Sequence, residues 1–308
     1  MKRVLVTGAS GFIGYHCLAP LLARGYEVHA VQSRTVDVDF PGVTWHRGDL
    51  FDAGAAERLI TTVEPTHLLH LAWYVVPGKV INYLDNAAWV QRSIDLLRAF
   101  QAAGGKRAVF GGSCYEYDWR YGYCSEELTP TKPDTYYGIC KNSLHDIVSH
   151  YCNLTDIGYA WGRIFFLYGP REHPDRLVSS VIRKLLSGEP APCSHGEQIR
   201  DYMSVEDVAD AMVALVDSSF NGPCNIGCGQ PIALKTIVSR IGELIGRPEL
   251  VKLGALPARA NDLPLVLADT SRLYGTIGWK PRHDLDSGLR STIDWWQSHL
   301  GQHVLGNS

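Results

Sequence analysis

The stretch Thr7-Gly8-Ala9-Ser10-Gly11-Phe12-Ile13-Gly14 decides the fold class of this chain. It follows a short apolar run, residues 3–6, that is typical of a buried strand, and it precedes a helical pattern over residues 15–24. Its three glycines suit a tight turn, a backbone that a pyrophosphate can approach, and close packing of the helix on the strand. In this context the triplet predicts a dinucleotide site with the helix N-terminus facing the phosphates.

Segments typical of strands and helices alternate beyond this loop. Strand-like runs lie at 27–32, 43–45, 67–72 and 107–110, and helical patterns at 53–63 and 83–103. Repeated units of this length indicate a parallel sheet covered by helices on both faces. We therefore predict an α/β fold, a Rossmann-type doubly wound parallel sheet with a smaller C-terminal α/β substrate lobe.

The domain boundaries follow from the same pattern. The predicted dinucleotide-binding domain covers residues 1–168, with 200–227 returning to it. The predicted substrate-binding lobe consists mainly of 169–199 and 228–308. Ligands of such sheets sit at the carboxyl ends of the strands, which is where Ser113 falls.

Composition limits the partners that the chain can have. Of its 308 residues 45% are apolar and 20% are charged, and the net charge is -3, with no basic block that would suit a nucleic acid. The longest apolar runs are far too short to cross a bilayer, and the start opens directly into a strand-like run. The eight cysteines have no metal-binding spacing. We expect a cytoplasmic protein with no metal, membrane or nucleic-acid partner.

The end of the second strand bears on the choice of cofactor. An acidic residue there would bind the adenosine ribose and repel a 2'-phosphate, but the chain has Ser33-Arg34. Arg34 could pair with a 2'-phosphate, whereas the nearby Asp37 keeps the other option open. The sequence favours NADP(H) and leaves NAD(H) possible.

Tyr137 and Lys141 are four residues apart, which places them on one face of a helix. A phenol beside an ammonium is expected to have a lowered pKa, because the positive charge favours the phenolate. Such a pair suits proton exchange with a carbonyl or hydroxyl oxygen. The spacing alone is common in helices, so the prediction depends on the rest of the chain.

Further motifs follow in order along the chain. They are Gly48-Asp49-Leu50, Ser113-x-x-x-Tyr117, Tyr137-Gly138-x-x-Lys141, Arg163-x-Phe165-x-x-Tyr168-Gly169-Pro170, Arg200-Asp201-Tyr202 and Arg259-x-x-Asp262-x-Pro264. With the glycine loop, this set resembles the nucleotide-sugar branch of the extended short-chain dehydrogenase/reductase family, the NAD-dependent epimerases and dehydratases. The resemblance covers nearly the whole chain.

The resemblance implies roles for particular residues. Ser113 would hold the reacting sugar oxygen, Tyr137 would transfer the proton, and Lys141 would bind the nicotinamide ribose. Arg200 and Arg259 would clamp the diphosphate, a task that suits the guanidinium fork. Further cofactor contacts would come from Gly8, Ser10, Gly11, Phe12, Ile13, Gly14, Ser33, Arg34, Asp49, Leu50, Leu71 and Ala72, and from Tyr137 itself. Further substrate contacts would come from Tyr74, Cys114, Tyr115, Phe166 and His173.

The chain departs from the family pattern at several of these positions. Phe166 stands where many sugar-nucleotide epimerases have an Asn. Cys114 and Tyr115 stand where dehydratases have acidic residues, and Glu116 is a poor substitute, which argues against 4,6-dehydration. Cys114 and His173 could instead form an epimerising pair, although a buried thiol and a surface histidine remain the simpler interpretation. The aromatic segment 115–124 could be a sugar or base platform or a packed loop.

These observations lead to one favoured function and two alternatives. The favoured one is NADP-dependent reduction of a 4-keto(-6-deoxy) nucleotide-sugar through Ser113, Tyr137 and Lys141. The first alternative is a nucleotide-sugar 4-epimerase, or an epimerase-reductase that uses Cys114 and His173. The second is a catalytically silent cofactor-binding or scaffold protein. The resemblance also implies a homodimer through helices 83–103 and 136–152.

Overall fold

The computed structural model describes residues 2–33, 40–258 and 262–300. Its strands are β1 (Arg3–Thr7), β2 (Glu27–Gln32), β3 (Val43–Arg47), β4 (His67–His70), β5 (Arg107–Ser113), β6 (Tyr123–Cys124), β7 (Gly158–Ile164), β8 (Phe166–Tyr168), β9 (Ala191–Pro192), β10 (Ile199–Ser204), β11 (Gly222–Ile226), β12 (Pro231–Ala233), β13 (Val251–Lys252) and β14 (Leu265–Ala268). Its α-helices are α1 (Phe12–Ala23), α2 (Ala55–Val63), α3 (Asn86–Ala102), α4 (Tyr136–Thr155), α5 (Leu177–Leu186), α6 (Val205–Asp217), α7 (Leu234–Ile245) and α8 (Leu285–His299).

Seven parallel strands form the main sheet in the order β11-β7-β5-β4-β1-β2-β3. The chain builds β1, β2 and β3 outwards, then crosses to the other side of β1 to add β4. The order of the strands therefore reverses between β1 and β4, and in open α/β sheets the ligand crevice lies at such a reversal. The glycine loop follows β1 at this point.

Helices cover both faces of this sheet because the strands are apolar on both sides. Val4 and Val6 pack with α1 and α6, whereas Leu5 between them packs with α2, α3 and α4. Successive side chains of a strand point to opposite faces, so β1 contributes to both cores. The predicted Rossmann-type fold is confirmed.

A second layer of structure follows β8. There β10 pairs with β8, β12 and β14, and α5, α7 and α8 enclose a separate apolar core around the buried Trp296. From β10 the chain returns through α6 to β11, which extends the main sheet beside β7. The assignment of one layer to cofactor and the other to substrate stays a prediction.

Two features of the described residues bear on the predicted partners. Within the described ranges, no helix combines the length and apolar character that crossing a membrane requires. The same residues contain no group of three or more His, Cys, Asp or Glu side chains that could hold a metal ion.

Candidate active site

The glycine loop makes close backbone contacts that only glycine allows. Gly8 has φ +71°, and a Cβ there would lie 2.7 Å from the Ala72 nitrogen. A Cβ on Gly14 would lie 2.2 Å from the Gly8 carbonyl oxygen. Helix α1 begins at Phe12, and within the described ranges no side chain caps its N-terminus and no acidic residue lies in its first turn. The uncapped N–H groups fit a dinucleotide pyrophosphate.

A buried hydrogen-bonded chain supports this loop from below. The His70 imidazole bonds through Nδ1 to the Thr7 hydroxyl at 2.7 Å and through Nε2 to the Ser93 hydroxyl at 2.8 Å. The Ala72 N–H in turn donates to the Thr7 hydroxyl at 3.4 Å. Burial lowers the pKa of His70 to about 3, so the ring is neutral. Leu71 and Ala72, both predicted cofactor contacts, thereby lie against the glycine loop.

The adenosine end of the predicted cofactor site is described in part. Ser33 follows β2, but Arg34 and Asp37 lie outside the described residues. The Gln32 side-chain oxygen is buried and has no hydrogen-bond partner among the residues that the structure describes. Asp49 accepts a hydrogen bond from the Phe51 N–H at 3.0 Å, and Leu50 beside it is buried.

Ser113, Tyr137 and Lys141 converge at the carboxyl end of β5. The Lys141 ammonium donates to the Gly111 carbonyl oxygen at 2.8 Å, two residues before Ser113. Ser113 forms a side-chain hydrogen bond with Tyr137. Helix α4 begins where the Thr135 hydroxyl accepts from the Gly138 N–H at 3.1 Å. The three predicted catalytic residues therefore share one buried region.

The predicted lowering of the Tyr137 pKa is wrong in this structure. Burial raises the pKa of the Tyr137 phenol above its usual value, and the hydrogen bond from Ser113 opposes this only in part. Burial also lowers the pKa of Lys141 from 10.5 to about 7. Lys141 is then neutral at the pH where a phenol would ionise, so its charge does not assist Tyr137.

A wholly buried carboxylate lies beneath Ser113. Glu116 accepts hydrogen bonds from the Ser113 N–H at 2.7 Å, from the Trp161 indole N–H at 3.0 Å and from the Arg163 Nε–H at 2.7 Å. Glu116 and Arg163 expose 0% and 2% of their side chains. Glu116 is thus engaged on all sides, and it is not placed to act as a dehydratase acid.

An indole ring covers Lys141. The Lys141 nitrogen lies 3.7 Å from the centre of the Trp73 ring, and the Trp73 N–H donates to the Asn86 side-chain oxygen at 2.8 Å. The Asn86 amide donates to the Val80 carbonyl at 2.8 Å, which fixes the indole from behind. Sequence reasoning missed Trp73 and Asn86, because nothing in their spacing links them to Lys141.

The predicted substrate contacts lie in different environments. Arg200 is buried, pairs with Asp262 and donates to the Ile199 carbonyl at 2.8 Å, so an internal ion pair engages its guanidinium. Arg259 lies outside the described residues.

The suggested Cys114 and His173 pair is not supported. Cys114 is buried among Cys124 and Phe165, and burial raises the pKa of its thiol well above the usual value. His173 accepts a hydrogen bond at Nδ1 from the Asp175 N–H at 3.2 Å. The two side chains therefore have different neighbours, and a buried thiol of raised pKa is a poor proton carrier.

Aromatic rings continue from Tyr137 into the lobe. The ring of Tyr115 lies 5.9 Å from Tyr137 and 4.4 Å from Trp119, and Trp119 lies 6.0 Å from Phe166. Phe166 then stacks on Tyr202 at 5.6 Å. Tyr74, by contrast, stacks on Tyr83 at 4.1 Å. We call the rings of Tyr115, Trp119, Phe166 and Tyr202 the aromatic wall.

Comparison with known proteins identifies the family. The model of the NAD dependent epimerase/dehydratase family matches residues 4–227. This chain belongs to that family. The resemblance to the nucleotide-sugar branch of the extended short-chain dehydrogenases/reductases is thereby confirmed.

Individual relatives of this family member are similar along nearly its whole length. UDP-glucuronate 4-epimerase 6 of Arabidopsis thaliana is 26% identical over 97% of this chain and 72% of its own length. The structure of Thermus thermophilus UDP-glucose 4-epimerase in complex with NAD is 28% identical, with a TM-score of 0.85, over 96% of this chain and 99% of that one. The structure of MoeE5 in complex with UDP-glucose and NAD is 30% identical, with a TM-score of 0.83, over 97% and 99%.

These relatives bear on the predicted cofactor. Both solved structures contain NAD. Neither provides support for the preference for NADP that Ser33-Arg34 suggested. This epimerase/dehydratase family member is of the NAD-dependent oxidoreductase type.

Proposed function

We propose that this protein is an NAD-dependent nucleotide-sugar 4-epimerase. The observation that carries the proposal is the convergence of Ser113, Tyr137 and Lys141 beside the glycine loop, with the Lys141 nitrogen 2.8 Å from the Gly111 oxygen. The names of the relatives support epimerisation over the reduction that the sequence favoured, since those named above include 4-epimerases of UDP-glucuronate and UDP-glucose. UDP-sugars are therefore the proposed substrates.

In the proposed mechanism, the protein moves a proton at the sugar 4-oxygen. When bound, NAD supplies a hydride acceptor and a positive charge. The Tyr137 phenolate would accept the proton of the sugar hydroxyl, and the phenol so formed would return the proton to the same oxygen. The Ser113 hydroxyl holds that oxygen through a hydrogen bond, and its bond to Tyr137 favours the phenolate. Lys141 is proposed to bind the nicotinamide ribose.

The aromatic wall and two arginines are the proposed binding site of the substrate. The aromatic wall begins at Tyr115, whose ring lies 5.9 Å from Tyr137, and aromatic ring faces pack on the apolar face of a sugar or on a base. Arg200, whose guanidinium lies 5.5 Å from the Phe166 ring centre, is proposed to bind the diphosphate together with Arg259. Asp262 would then give up part of its pairing with Arg200 to the substrate.

An assay with purified protein tests this function. A panel of UDP-, GDP-, CDP- and dTDP-sugars is incubated with the enzyme and NAD, and the products are separated by chromatography. We expect interconversion of C4 epimers of a UDP-sugar with no net change in the absorbance of reduced nicotinamide. Stoichiometric oxidation of NADPH by a 4-keto sugar nucleotide would instead establish a reductase. Cofactor binding without turnover of any sugar would favour the silent scaffold.

We also propose that the protein is a homodimer that pairs α3 and α4 of each copy. Three apolar side chains on α4 are exposed, namely Ile139 at 47%, Ile147 at 43% and Leu154 at 86%. Spacings of eight and seven residues place them on one stripe of the helix. Covering such a stripe with a second copy would remove apolar surface from water.

A further inference from the structure

The ion pair between Glu116 and Arg163 joins two almost wholly buried side chains at 2.7 Å. Two charges removed from water lose hydration, and well-packed apolar residues of similar volume are often as stable or more so. The pair nevertheless lies directly under the end of β5, where Ser113 begins the turn 114–116. The ion pair therefore lies where it can fix the geometry of the end of β5.

Glu116 holds the backbone N–H of Ser113, and Ser113 in turn holds the backbone that follows it. Its carboxylate accepts the Ser113 N–H at 2.7 Å, and the Ser113 hydroxyl in turn accepts the Tyr115 N–H at 3.3 Å. At Gly112 a Cβ would lie 2.1 Å from the Trp161 indole nitrogen and 2.7 Å from a Glu116 oxygen. Glu116 and Trp161 thus pack so closely on Gly112 that no side chain fits there.

The carboxylate is itself held from the neighbouring strand β7. Trp161 donates to both oxygens at 3.0 Å, and Arg163, which is in register with Gly112, donates at 2.7 Å. A further Arg163 nitrogen donates to the Tyr117 hydroxyl at 3.0 Å, and that hydroxyl donates to the Asn225 oxygen at 2.8 Å. Each member of the network is satisfied, which is the condition for a rigid buried polar cluster.

We propose that Glu116 is a positioning residue of the candidate site, whose carboxylate, held by Trp161 and Arg163, sets the place of the Ser113 hydroxyl. The inference rests on the proposed function for its kinetic consequence only. The network consists only of protein groups, so its effect on the pKa of Lys141 can be measured without substrate.

The charge of Glu116 also affects Tyr137 and Lys141. It raises the pKa of Lys141 against the larger effect of burial, and it adds to the raised pKa of Tyr137. The titratable groups that face Glu116 are Arg163 on β7, Tyr137, Lys141 and His145 on α4, and Cys114 and Tyr117 in its own loop. Removal of the carboxylate charge should lower the pKa of both Lys141 and Tyr137.

Three variants separate position from charge. Glu116→Gln keeps an oxygen for the Ser113 N–H and removes the charge, whereas Glu116→Ala removes both. Glu116→Gln with Arg163→Met removes the two charges together, so that no buried guanidinium is left unpaired. Asp207→Asn is the control, because Asp207 is a buried carboxylate that accepts from the Arg282 and His283 N–H groups at 3.1 and 2.9 Å.

The first measurement is the titration of Lys141 followed by NMR of its ε-carbon, without cofactor or substrate, with the signal assigned from Lys141→Met. We expect the midpoint to fall below about 7 in Glu116→Gln and Glu116→Ala, to fall less in the double variant, which also removes the positive charge of Arg163, and to be unchanged in Asp207→Asn. The second is kcat, which should fall about tenfold to a hundredfold in Glu116→Ala and less in Glu116→Gln, with KM little changed.

The outcomes distinguish this inference from the proposed function. Shifted Lys141 midpoints in an enzyme that epimerises no sugar would leave the inference standing and refute the function. A folded Glu116→Ala protein with the wild-type midpoint and kcat would overturn the inference. Should every variant fail to fold, hydrogen exchange of the wild-type Ser113 amide decides, since exchange as fast as that of exposed loops would contradict a fixed strand end.

Discussion

The ammonium nitrogen of Lys141 lies 3.7 Å from the centre of the Trp73 ring. The indole shields the Lys141 ammonium from water. The ammonium also donates a hydrogen bond to the Gly111 carbonyl oxygen at 2.8 Å. Burial is the main reason that the pKa of Lys141 falls to about 7. A lysine that changes charge near neutral pH would make the proposed cofactor site sensitive to pH.

Trp73→Ala should therefore raise the pKa of Lys141 from about 7 towards the ordinary 10.5, because water reaches the ammonium. NMR titration of the lysine ε-carbon measures this directly. Trp73→Phe keeps an aromatic face and loses only the hydrogen bond to Asn86, so its midpoint should stay nearer to wild type. A lower midpoint in Trp73→Ala would mean that the indole stabilises the charge more than it excludes water.

Tyr137→Phe should lower kcat by at least about a thousandfold, because no other group delivers the proton to the sugar oxygen. NAD affinity should change little. The matched control is Tyr159→Phe, which removes a buried hydroxyl that contacts Ser149 at 2.7 Å, away from the site. Wild-type turnover in Tyr137→Phe, measured by chromatography of the epimers, would exclude the proposed mechanism.

The glycine loop should not tolerate a methyl group at Gly14, because a Cβ there would lie 2.2 Å from the Gly8 carbonyl oxygen. We expect Gly14→Ala to weaken NAD binding by about thirtyfold or more, equivalent to about 2 kcal/mol. Gly275→Ala is the control, since a Cβ at Gly275 meets no atom within 4 Å. Equal NAD affinities in a titration by protein fluorescence would show that the phosphates bind elsewhere.

Sequence patterns predicted the parts of this protein that depend on local order. The alternation of strands and helices is set by burial of short apolar runs, so it predicted strands β1 to β5 of the main sheet. The ion pair of Glu116 and Arg163 joins residues 47 positions apart, and it depends on the register of β5 with β7. No local sequence pattern predicts the register between these two strands.

Local sequence patterns also could not predict the pKa values of the charged groups or their ion-pair partners. Helical spacing correctly put Tyr137 and Lys141 on one face, but it contains no information on burial, which sets their pKa values. The partner of Arg200 is Asp262, 62 residues further along the chain. Spacing therefore predicted which residues meet on one helix, and it could not predict which charges are already paired.

Stability should depend on pH through Glu172. Burial raises the pKa of this carboxyl from 4.5 to about 7, and the Ser179 hydroxyl donates to it at 2.8 Å. The folded state binds a proton more tightly than the unfolded chain, so this stabilisation is complete below pH 4.5 and is lost as the pH rises through 7. The loss should reach about 3 kcal/mol.

Glu172→Gln should remove this dependence, because glutamine keeps an oxygen for Ser179 and cannot ionise. Urea unfolding near pH 5 and near pH 8 should show a smaller difference in the free energy of unfolding than wild type shows. The exposed Glu249→Gln is the control and should match wild type at both values. A wild-type difference that Glu172→Gln leaves intact would assign the effect to other groups.

The proposed homodimer can be tested on the exposed stripe of α4. Ile147→Asp places a charge among Ile139 and Leu154, where a partner helix would have to bury it, and burial of an unpaired charge strongly opposes association. We expect this variant to be monomeric at concentrations at which wild type is dimeric, as measured by light scattering. Leu128→Asp changes a side chain that is 83% exposed and lies outside both helices, so it should leave the dimer intact. Equal molar masses for wild type and Ile147→Asp would place any dimer contact on another surface.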